Sequence, residues 1–154
     1  FTIVELDPKI HKDAIMRLFH KWVSDRVRYM PKEEEERFLE GILFEQTAIK
    51  RLMTYFEELE VVGICIFIDN ELKGFTVGEK INSHIASIII EKCDFEVLGC
   101  AQFIFREFSK VLRDKYEVEY INVGDDMGFE NLKKVKMSYR PEILIPKYTI
   151  YQKC

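Results

Sequence analysis

The sequence predicts an α+β domain of three layers, in which helices flank a mixed, mainly antiparallel sheet. Apolar residues recur every three or four positions through the first third of the chain, as they do in amphipathic helices. Three strand-like runs joined by tight turns then follow between residues 61 and 93, which is typical of an antiparallel meander rather than a doubly wound parallel sheet. The complete predicted order is ααβββαβαβ.

The first two predicted elements are long helices. Asp7 offers an N-cap acceptor, Pro8 suits the first helical position, and the apolar period then continues to about residue 29. Pro31 breaks this pattern, and a second helix is predicted from about residue 33 to about residue 59.

The sheet begins where the period changes. Residues 61–68 form a continuous apolar run, Asp69-Asn70 is a turn pair, and residues 71–81 alternate between apolar and polar side chains, so together they predict a β-hairpin. After a second turn at Asn82-Ser83, residues 84–93 supply the third strand.

The last part of the chain returns to alternating elements. A third helix is predicted from residue 98 to about 115, and a fourth strand over 117–124. A fourth helix then ends at Pro141. The run 143–152 reads as a last strand, at an edge or a bulge because of Pro146.

Length and charge bound the function. The chain has 154 residues, 47% of them hydrophobic, and a formal net charge of −4, so it can bury a core of its own and nothing in its overall charge predicts binding to duplex DNA. No apolar run approaches the roughly 20 residues that a membrane span needs. Because residue 1 is Phe and the opening reads like the middle of a polypeptide, we expect a fragment of a longer protein, which leaves a membrane-anchored parent open.

The four cysteines are interpreted as reduced thiols of a cytoplasmic domain. Cys65, Cys93, Cys100 and Cys154 show no CxxC spacing, and no signal peptide precedes them. The histidines have no companions at metal-ligand spacing, so no zinc site is predicted.

The stretch from Ile88 to Gln102 is the best candidate for a ligand-binding turn. An apolar strand ends in Glu91 and Lys92, and Gly99 precedes a helix whose first amides and dipole favour anions. The alternative is that Gly99 only completes a turn and that the charged pair only solvates the strand end.

A first resemblance concerns this same turn. The element order is similar to the GNAT-like (acyl-CoA N-acyltransferase) fold, in which the loop after the third strand carries Gln/Arg-x-x-Gly-x-Gly/Ala and binds the pyrophosphate of coenzyme A. The matching window here runs from Glu96 to Ala101, with Gly99 in the glycine position. Because the acidic Glu96 would repel a pyrophosphate, the resemblance favours an aminoacyl-tRNA or another phosphate-bearing donor over coenzyme A.

A second resemblance covers nearly the whole chain. It rests on five short motifs taken together, which are Gly78-Glu79, Glu91-Lys92, Gly99, Asp126-Met127-Gly128 and Lys136-Met137-Ser138-Tyr139-Arg140-Pro141. They resemble a bacterial family of uncharacterised proteins related to the C-terminal catalytic domain of phosphatidylglycerol lysyltransferases. Members usually carry two such folds in tandem, so the resemblance implies that this chain is the C-terminal half and that an N-terminal GNAT-like half of the same parent is its partner.

The resemblance implies acyl or aminoacyl transfer, with an acyl-CoA or an aminoacyl-tRNA as donor. Glu91 and Asp126 are the candidates for the base or for holding a cationic amine, and we expect them to face one cleft. Tyr139 is a candidate general acid. The residues expected to hold the donor are Lys92, Gly99, Cys100, Ala101, Gln102 and Lys136.

Alternatives remain open at several of these positions. Asp125-Asp126 is equally compatible with a cap of the fourth helix, and Lys136 to Tyr139 with an ordinary helix end. Glu45, on the second helix, either points into a cleft or pairs with Lys50 on the surface. For the whole chain, the alternatives to a transferase are a non-catalytic half that packs against its partner domain, and a small-molecule sensor on the same fold.

Overall fold

The computed structural model describes residues 1–152 of the chain. They divide into two compact units, Phe1–Asn122 and the segment that begins at Val123. The prediction that Cys154 is a reduced thiol lies outside the described residues.

The elements follow one another as βααβββαβα. The first unit contains β1 (Thr2–Glu5), α1 (Pro8–Tyr29), α2 (Lys32–Thr54), β2 (Val62–Ile68), β3 (Glu71–Lys80), β4 (Ile85–Cys93), α3 (Cys100–Tyr116) and β5 (Tyr120–Asn122). The second unit contains α4 (Glu130–Ser138). Among the helices of the described residues, none is both long enough and apolar enough to span a membrane.

One five-stranded sheet has the order β1-β2-β3-β4-β5. The first four strands pair antiparallel, and only β5 runs parallel to its neighbour β4. This arrangement confirms the predicted α+β class with a mixed, mainly antiparallel sheet. The start of α1 is confirmed as well, because the Asp7 side chain accepts a hydrogen bond of 2.8 Å from the amide of Lys9.

The predicted element order was wrong at both ends of the chain. It lacked β1, whose four residues are too few for an alternating pattern to stand out. It also placed a strand at 143–152, where the structure has none. Pro146 lacks the amide that a ladder needs, and Ile145 and Ile150 of this run are exposed rather than packed.

Two internal boundaries also differ from the prediction. Helix α2 ends at Thr54, and a series of turns replaces the expected last helical residues up to 59. Helix α3 begins at Cys100 because Gly99 adopts a left-handed φ of 78°, which leaves Leu98 outside the helix and fully exposed.

Two apolar clusters cover the two faces of the sheet. The first joins α1 and α2 to one face, with Phe19 and Phe75 fully buried. The second joins α3 to the other face through Phe108 and Ile104. Burial of one such large side chain stabilises the fold by about 1.5–3 kcal/mol. Strand β4 contributes to both clusters, through Ile90 to the first and Ala86 to the second.

Candidate active site

Strand β4 separates from β5 halfway along its length. The parallel pairing begins at Ile85 and ends where Ser87 lies opposite Asn122, although β4 continues to Cys93. On its other side β4 stays paired with β3 as far as Cys93, with a register shift next to Gly78. Beyond Ser87, no strand of the described residues pairs with the second edge of β4. Main-chain amides and carbonyls on that edge can therefore contact a ligand.

The predicted pair Glu91-Lys92 is divided between the two faces of the sheet. Successive strand residues point to opposite faces. Ile90 belongs to the cluster beneath α1 and α2, and Lys92 reaches the same layer. Cys93 packs in the cluster beneath α3, so Glu91 lies on the α3 face.

The environment of Glu91 favours the protonated acid. The residue is half-buried, and burial raises the pKa of its carboxyl to about 7, against the smaller opposing effect of the Lys92 charge. A carboxyl group with this pKa exchanges its proton near neutral pH, which suits a general base.

Lys92 is held by an anion and an aromatic ring. Its Nζ lies 2.8 Å from Glu45 Oε1 and 3.8 Å from the centroid of the Trp22 ring. Trp22 in turn contacts Phe38 and stacks on Phe95, at centroid distances of 6.0 and 5.9 Å. Glu45 therefore points toward the sheet and pairs with Lys92, which was one of the two orientations open from the sequence.

A buried carboxylate organises the loop between β4 and α3. Asp94 is 2% exposed, and it accepts hydrogen bonds of 2.8 Å from Lys21 Nζ and 3.1 Å from Lys73 Nζ. Burial raises the pKa of Asp94, but the bonds from Lys21, the Glu96 amide and Lys73 outweigh it, so the pKa stays below the ordinary value. Lys21 also lies 3.1 Å from Glu96 Oε2. Glu96, which stands where the resembled motif has Gln or Arg, thus has a cation beside it.

The first turn of α3 presents backbone amides. Gly99 is its N-cap, with no side-chain cap, and the Cys100 amide donates to Val97 O at 3.1 Å. The amides of Ala101 and Gln102 belong to the group that has no acceptor within a helix. Together with the helix dipole, they form the part of this turn that can bind an anion.

The second unit contains the remaining predicted residues. The side chains of Asp125 and Asp126 accept hydrogen bonds of 3.0 and 2.9 Å from the amides of Met127 and Gly128. These bonds shape the turn before α4, whose N-cap is Phe129, so neither aspartate caps that helix.

The remaining two candidates in this unit belong to α4. Lys136 donates to the carbonyls of Val123 and Asp125, and its burial lowers the pKa of the amine. Tyr139 is the C-cap residue of α4 and is 38% exposed. Lys136 therefore holds the segment before α4 through its backbone.

The predicted residues thus fall into three places. Glu91 lies on the α3 face, close to the turn that carries Gly99, Cys100, Ala101 and Gln102. Lys92 lies on the opposite face of the same sheet. Asp126, Lys136 and Tyr139 belong to the second unit, and their meeting with Glu91 in one cleft stays a prediction.

The sequence interpretation missed the role of Asp94. An acidic residue directly after a buried strand was its signal, but its partners are 73 and 21 residues away along the chain. Trp22 lies within the apolar period that predicts α1, but its contact with Lys92 depends on the packing of α1 against β4, which no local pattern predicts.

Comparison with known proteins points to one family. A sequence profile of the family described as "Phosphatidylglycerol lysyltransferase, C-terminal" matches residues 1–151. A curated relative, an uncharacterised protein from Mycoplasmoides gallisepticum, is 21% identical over 98% of this chain and 45% of its own length. The chain therefore spans about half the length of the curated relative that it matches.

Solved structures agree on the fold. A conserved protein of unknown function from Bacteroides thetaiotaomicron superimposes with a TM-score of 0.75 at 22% identity, over 93% of this chain and 45% of that one. A ribosomal-protein-alanine N-acetyltransferase from Brucella melitensis biovar Abortus 2308 gives 0.65 at 10% identity, over 99% and 100%. A PaiA N-acetyltransferase from Thermoplasma acidophilum, in complex with coenzyme A, gives 0.58 at 14% identity, over 91% and 88%. These likenesses confirm the GNAT-like fold.

Proposed function

This chain belongs to the family of phosphatidylglycerol lysyltransferase C-terminal domains, and from that premise we propose that it transfers an activated acyl or aminoacyl group to an amine or a hydroxyl. The observation that carries the proposal is the edge of β4 beyond Ser87, with which no strand of residues 1–152 pairs, together with the half-buried carboxyl of Glu91 on the adjoining α3 face. Acyl transfer needs both a set of oriented amides and a nearby base.

In the proposed reaction the nucleophile attacks the carbonyl carbon of the donor. Glu91, when ionised, accepts the proton that the attacking amine or hydroxyl loses. Amides on the unpaired edge of β4 donate to the oxyanion of the tetrahedral intermediate. The intermediate collapses by breaking the bond to the leaving group, which takes up a proton. Tyr139 is our candidate for the acid, and Asp126 for holding a cationic group of the substrate.

The donor is proposed to lie on the β4–α3 turn. The amides of Gly99, Ala101 and Gln102 would face its phosphate, and the first turn of α3 adds a favourable dipole. Glu96 weakens binding of a pyrophosphate, although Lys21 at 3.1 Å offsets part of that repulsion. We therefore propose a phosphate-bearing aminoacyl donor, such as an aminoacyl-tRNA, ahead of coenzyme A.

The two lysines have more limited roles in this proposal. Lys92 is engaged with Glu45 and Trp22 on the opposite face of the sheet from Glu91. Its proposed contact with a donor therefore requires that pair to open and the lysine side chain to reach around the edge of β4. Lys136 is bound to two backbone carbonyls and would act on the donor only after exchanging one of them.

The test is a calorimetric and thermal-shift comparison of the chain with coenzyme A, acetyl-CoA, lysine and aminoacyl-tRNA. A ligand bound only by the folded state raises its melting temperature by mass action. We expect aminoacyl-tRNA to bind and Glu91→Gln to keep that binding while losing transfer. Binding of coenzyme A with acetyl transfer would show an ordinary acyltransferase, and no response to any of the four would contradict the transferase proposal.

A second candidate function rests on the surface of α2. Leu39, Leu43 and Phe44 are 39%, 67% and 79% exposed, and Leu39 and Leu43 are one helical turn apart. The chain spans 45% of the length of its curated relative. The exposed apolar surface therefore favours the interpretation that this domain packs against the other half of a longer protein. Cross-linking in the full-length parent, with Leu43→Lys as the variant, would separate this role from catalysis.

A further inference from the structure

Two cysteine side chains meet where β4 ends and α3 begins. Cys93 is the last residue of β4 and Cys100 is the first of α3. Both approach Gly74 on β3, where an added Cβ would lie 3.0 Å from Cys93 Sγ and 3.1 Å from Cys100 Sγ. Cys100 Sγ also donates a hydrogen bond of 3.5 Å to Lys73 O. A glycine on β3 thus leaves the space that the two sulfur atoms share.

The surroundings make this pair chemically different from the third described cysteine. The closeness of the two thiols lowers the pKa of Cys100 and raises that of Cys93, so Cys100 is the one of the pair that loses its proton more readily. Cys93 is only half-buried, which gives a small reagent access to the pair. Cys65 is fully buried, and its burial raises the pKa of its thiol to about 12.

We propose that Cys93 and Cys100 form a reversible intramolecular disulfide by exchange with a low-molecular-weight disulfide. One cysteine thiolate attacks a sulfur of the small disulfide, forms a mixed disulfide and releases the first small thiol. The second cysteine then attacks the protein sulfur of that mixed disulfide and releases the second small thiol. Two cysteine thiols are oxidised, one small disulfide is reduced to two thiols, and the two protons pass to the released thiols.

The bond would close a ring from residue 93 to residue 100 around the loop that Asp94 organises. Such a bond fixes the first turn of α3 to the end of β4. Reversible disulfides of this kind occur in reducing compartments as transient, redox-sensing bonds, so the proposal is compatible with thiols that are reduced at rest. It stands independently of the transferase activity.

The experiment uses the full chain, reduced, freed of reductant and treated with oxidised glutathione in the folded state. The remaining thiols, including the buried Cys65, are then alkylated in urea. Trypsin then releases one peptide, residues 93–106, because Lys92 precedes it and Arg106 ends it. We expect this peptide to lose the mass of two hydrogen atoms and to carry no alkyl group, while Cys65 is alkylated. Dithiothreitol should restore two alkylation sites.

Variants and a denatured control decide the outcome. Cys93→Ser and Cys100→Ser should each abolish the loss of mass and leave glutathione on the remaining cysteine, whereas Cys154→Ser should form the bond normally. The fold holds the two sulfur atoms together and so favours the disulfide. In the chain unfolded by urea, the same disulfide should therefore form only at a higher ratio of oxidised to reduced glutathione. Two outcomes would overturn the proposal. One is full alkylation of both cysteines after the folded protein has been treated with oxidised glutathione. The other is formation of the disulfide at the same glutathione ratio with and without urea.

Discussion

Glu91 places a carboxyl group where burial withholds water from its charged form. Its pKa in the folded chain is about 7, against an ordinary value of 4.5, so between these pH values the folded state binds the proton more tightly than the unfolded state. The free energy of unfolding should therefore fall as the pH rises from about 4.5 to about 7, by about 3 kcal/mol. Urea unfolding of Glu91→Gln, measured at both ends of this pH window, should show no such fall in its free energy of unfolding. The exposed Glu79→Gln, on β3, is the matched control, and an unchanged slope in Glu91→Gln would refute the assignment.

The same carboxyl group sets the pH dependence of the proposed reaction. A base must be ionised, so kcat/KM should rise with pH through about 7 and level off above it. Glu91→Gln should lower kcat by about 10²–10⁴-fold and remove this rise, whereas Glu79→Gln should change neither. A rate profile of the variant that still climbs through pH 7 would assign the base to another group.

The contribution of Asp94 to stability depends on pH in the opposite direction. Because its pKa is lowered by Lys21 and Lys73, its contribution is complete above about pH 4 and is lost as the pH falls through the lowered value. Asp94→Asn leaves two lysines without their buried anion, and we expect a loss of about 3 kcal/mol at neutral pH. Equilibrium unfolding compared with the exposed Asp13→Asn, on α1, tests this; equal stability of the two variants would show that the buried network contributes little.

The candidate site could be predicted from the sequence only in part. Gly99 and the strand end at Glu91 stand out because a glycine and a charged pair interrupt local apolar patterns. The division of Glu91 and Lys92 between two faces follows from the register of β4, and the pKa of Glu91 follows from burial. Neither quantity is local, so neither could be predicted from residue types alone.

At the scale of elements, local periodicity was sufficient for the long helices and for the meander. Helix α1 has the predicted bounds because Asp7, Pro8 and a 3.6-residue apolar period all agree. The short strands were harder to predict. Strand β1 has four residues and β5 has three, and each forms only by pairing with a strand that is distant in sequence. The apolar run after Pro141 looks like a strand from composition, but Pro146 lacks a ladder amide, and Ile145 and Ile150 are exposed rather than packed.

Substitution of two glycines by alanine tests the close packing of the sheet against α3, because one of them lies in that contact and the other lies in open space on α2. A Cβ on Gly78 would lie 2.6 Å from Ser87 O and 3.0 Å from the Phe108 ring, so Gly78→Ala should destabilise the fold by about 1–3 kcal/mol. Gly41, within α2, has no atom within 4 Å of its added Cβ apart from its chain neighbours and the backbone of its own helix. Gly41→Ala should therefore stabilise the helix by about 0.5–1 kcal/mol. Thermal unfolding of both variants is the measurement; a loss of stability in both would contradict this distinction.

At the scale of the whole molecule, the two units differ in how much core they contain. Both apolar clusters consist entirely of residues before Val123, and α4 has no buried residue. The proposed reaction nevertheless draws on both units, because Glu91 belongs to the first, and Asp126 and Tyr139 to the second. Stability and catalysis should therefore respond differently to loss of the second unit.

We expect a chain shortened to residues 1–122 to unfold cooperatively, because it retains all five strands and both apolar clusters. Its urea m-value should be smaller than that of the full chain, in proportion to the surface that it buries. Transfer activity should be lost in the shortened chain. It should fall in the Asp126→Asn and Tyr139→Phe variants of the 154-residue chain, whose stability should remain close to that of the unchanged 154-residue chain. Full activity of these two variants would confine the chemistry to the first unit, and absence of a cooperative transition in the shortened chain would show that its core needs the residues after Asn122.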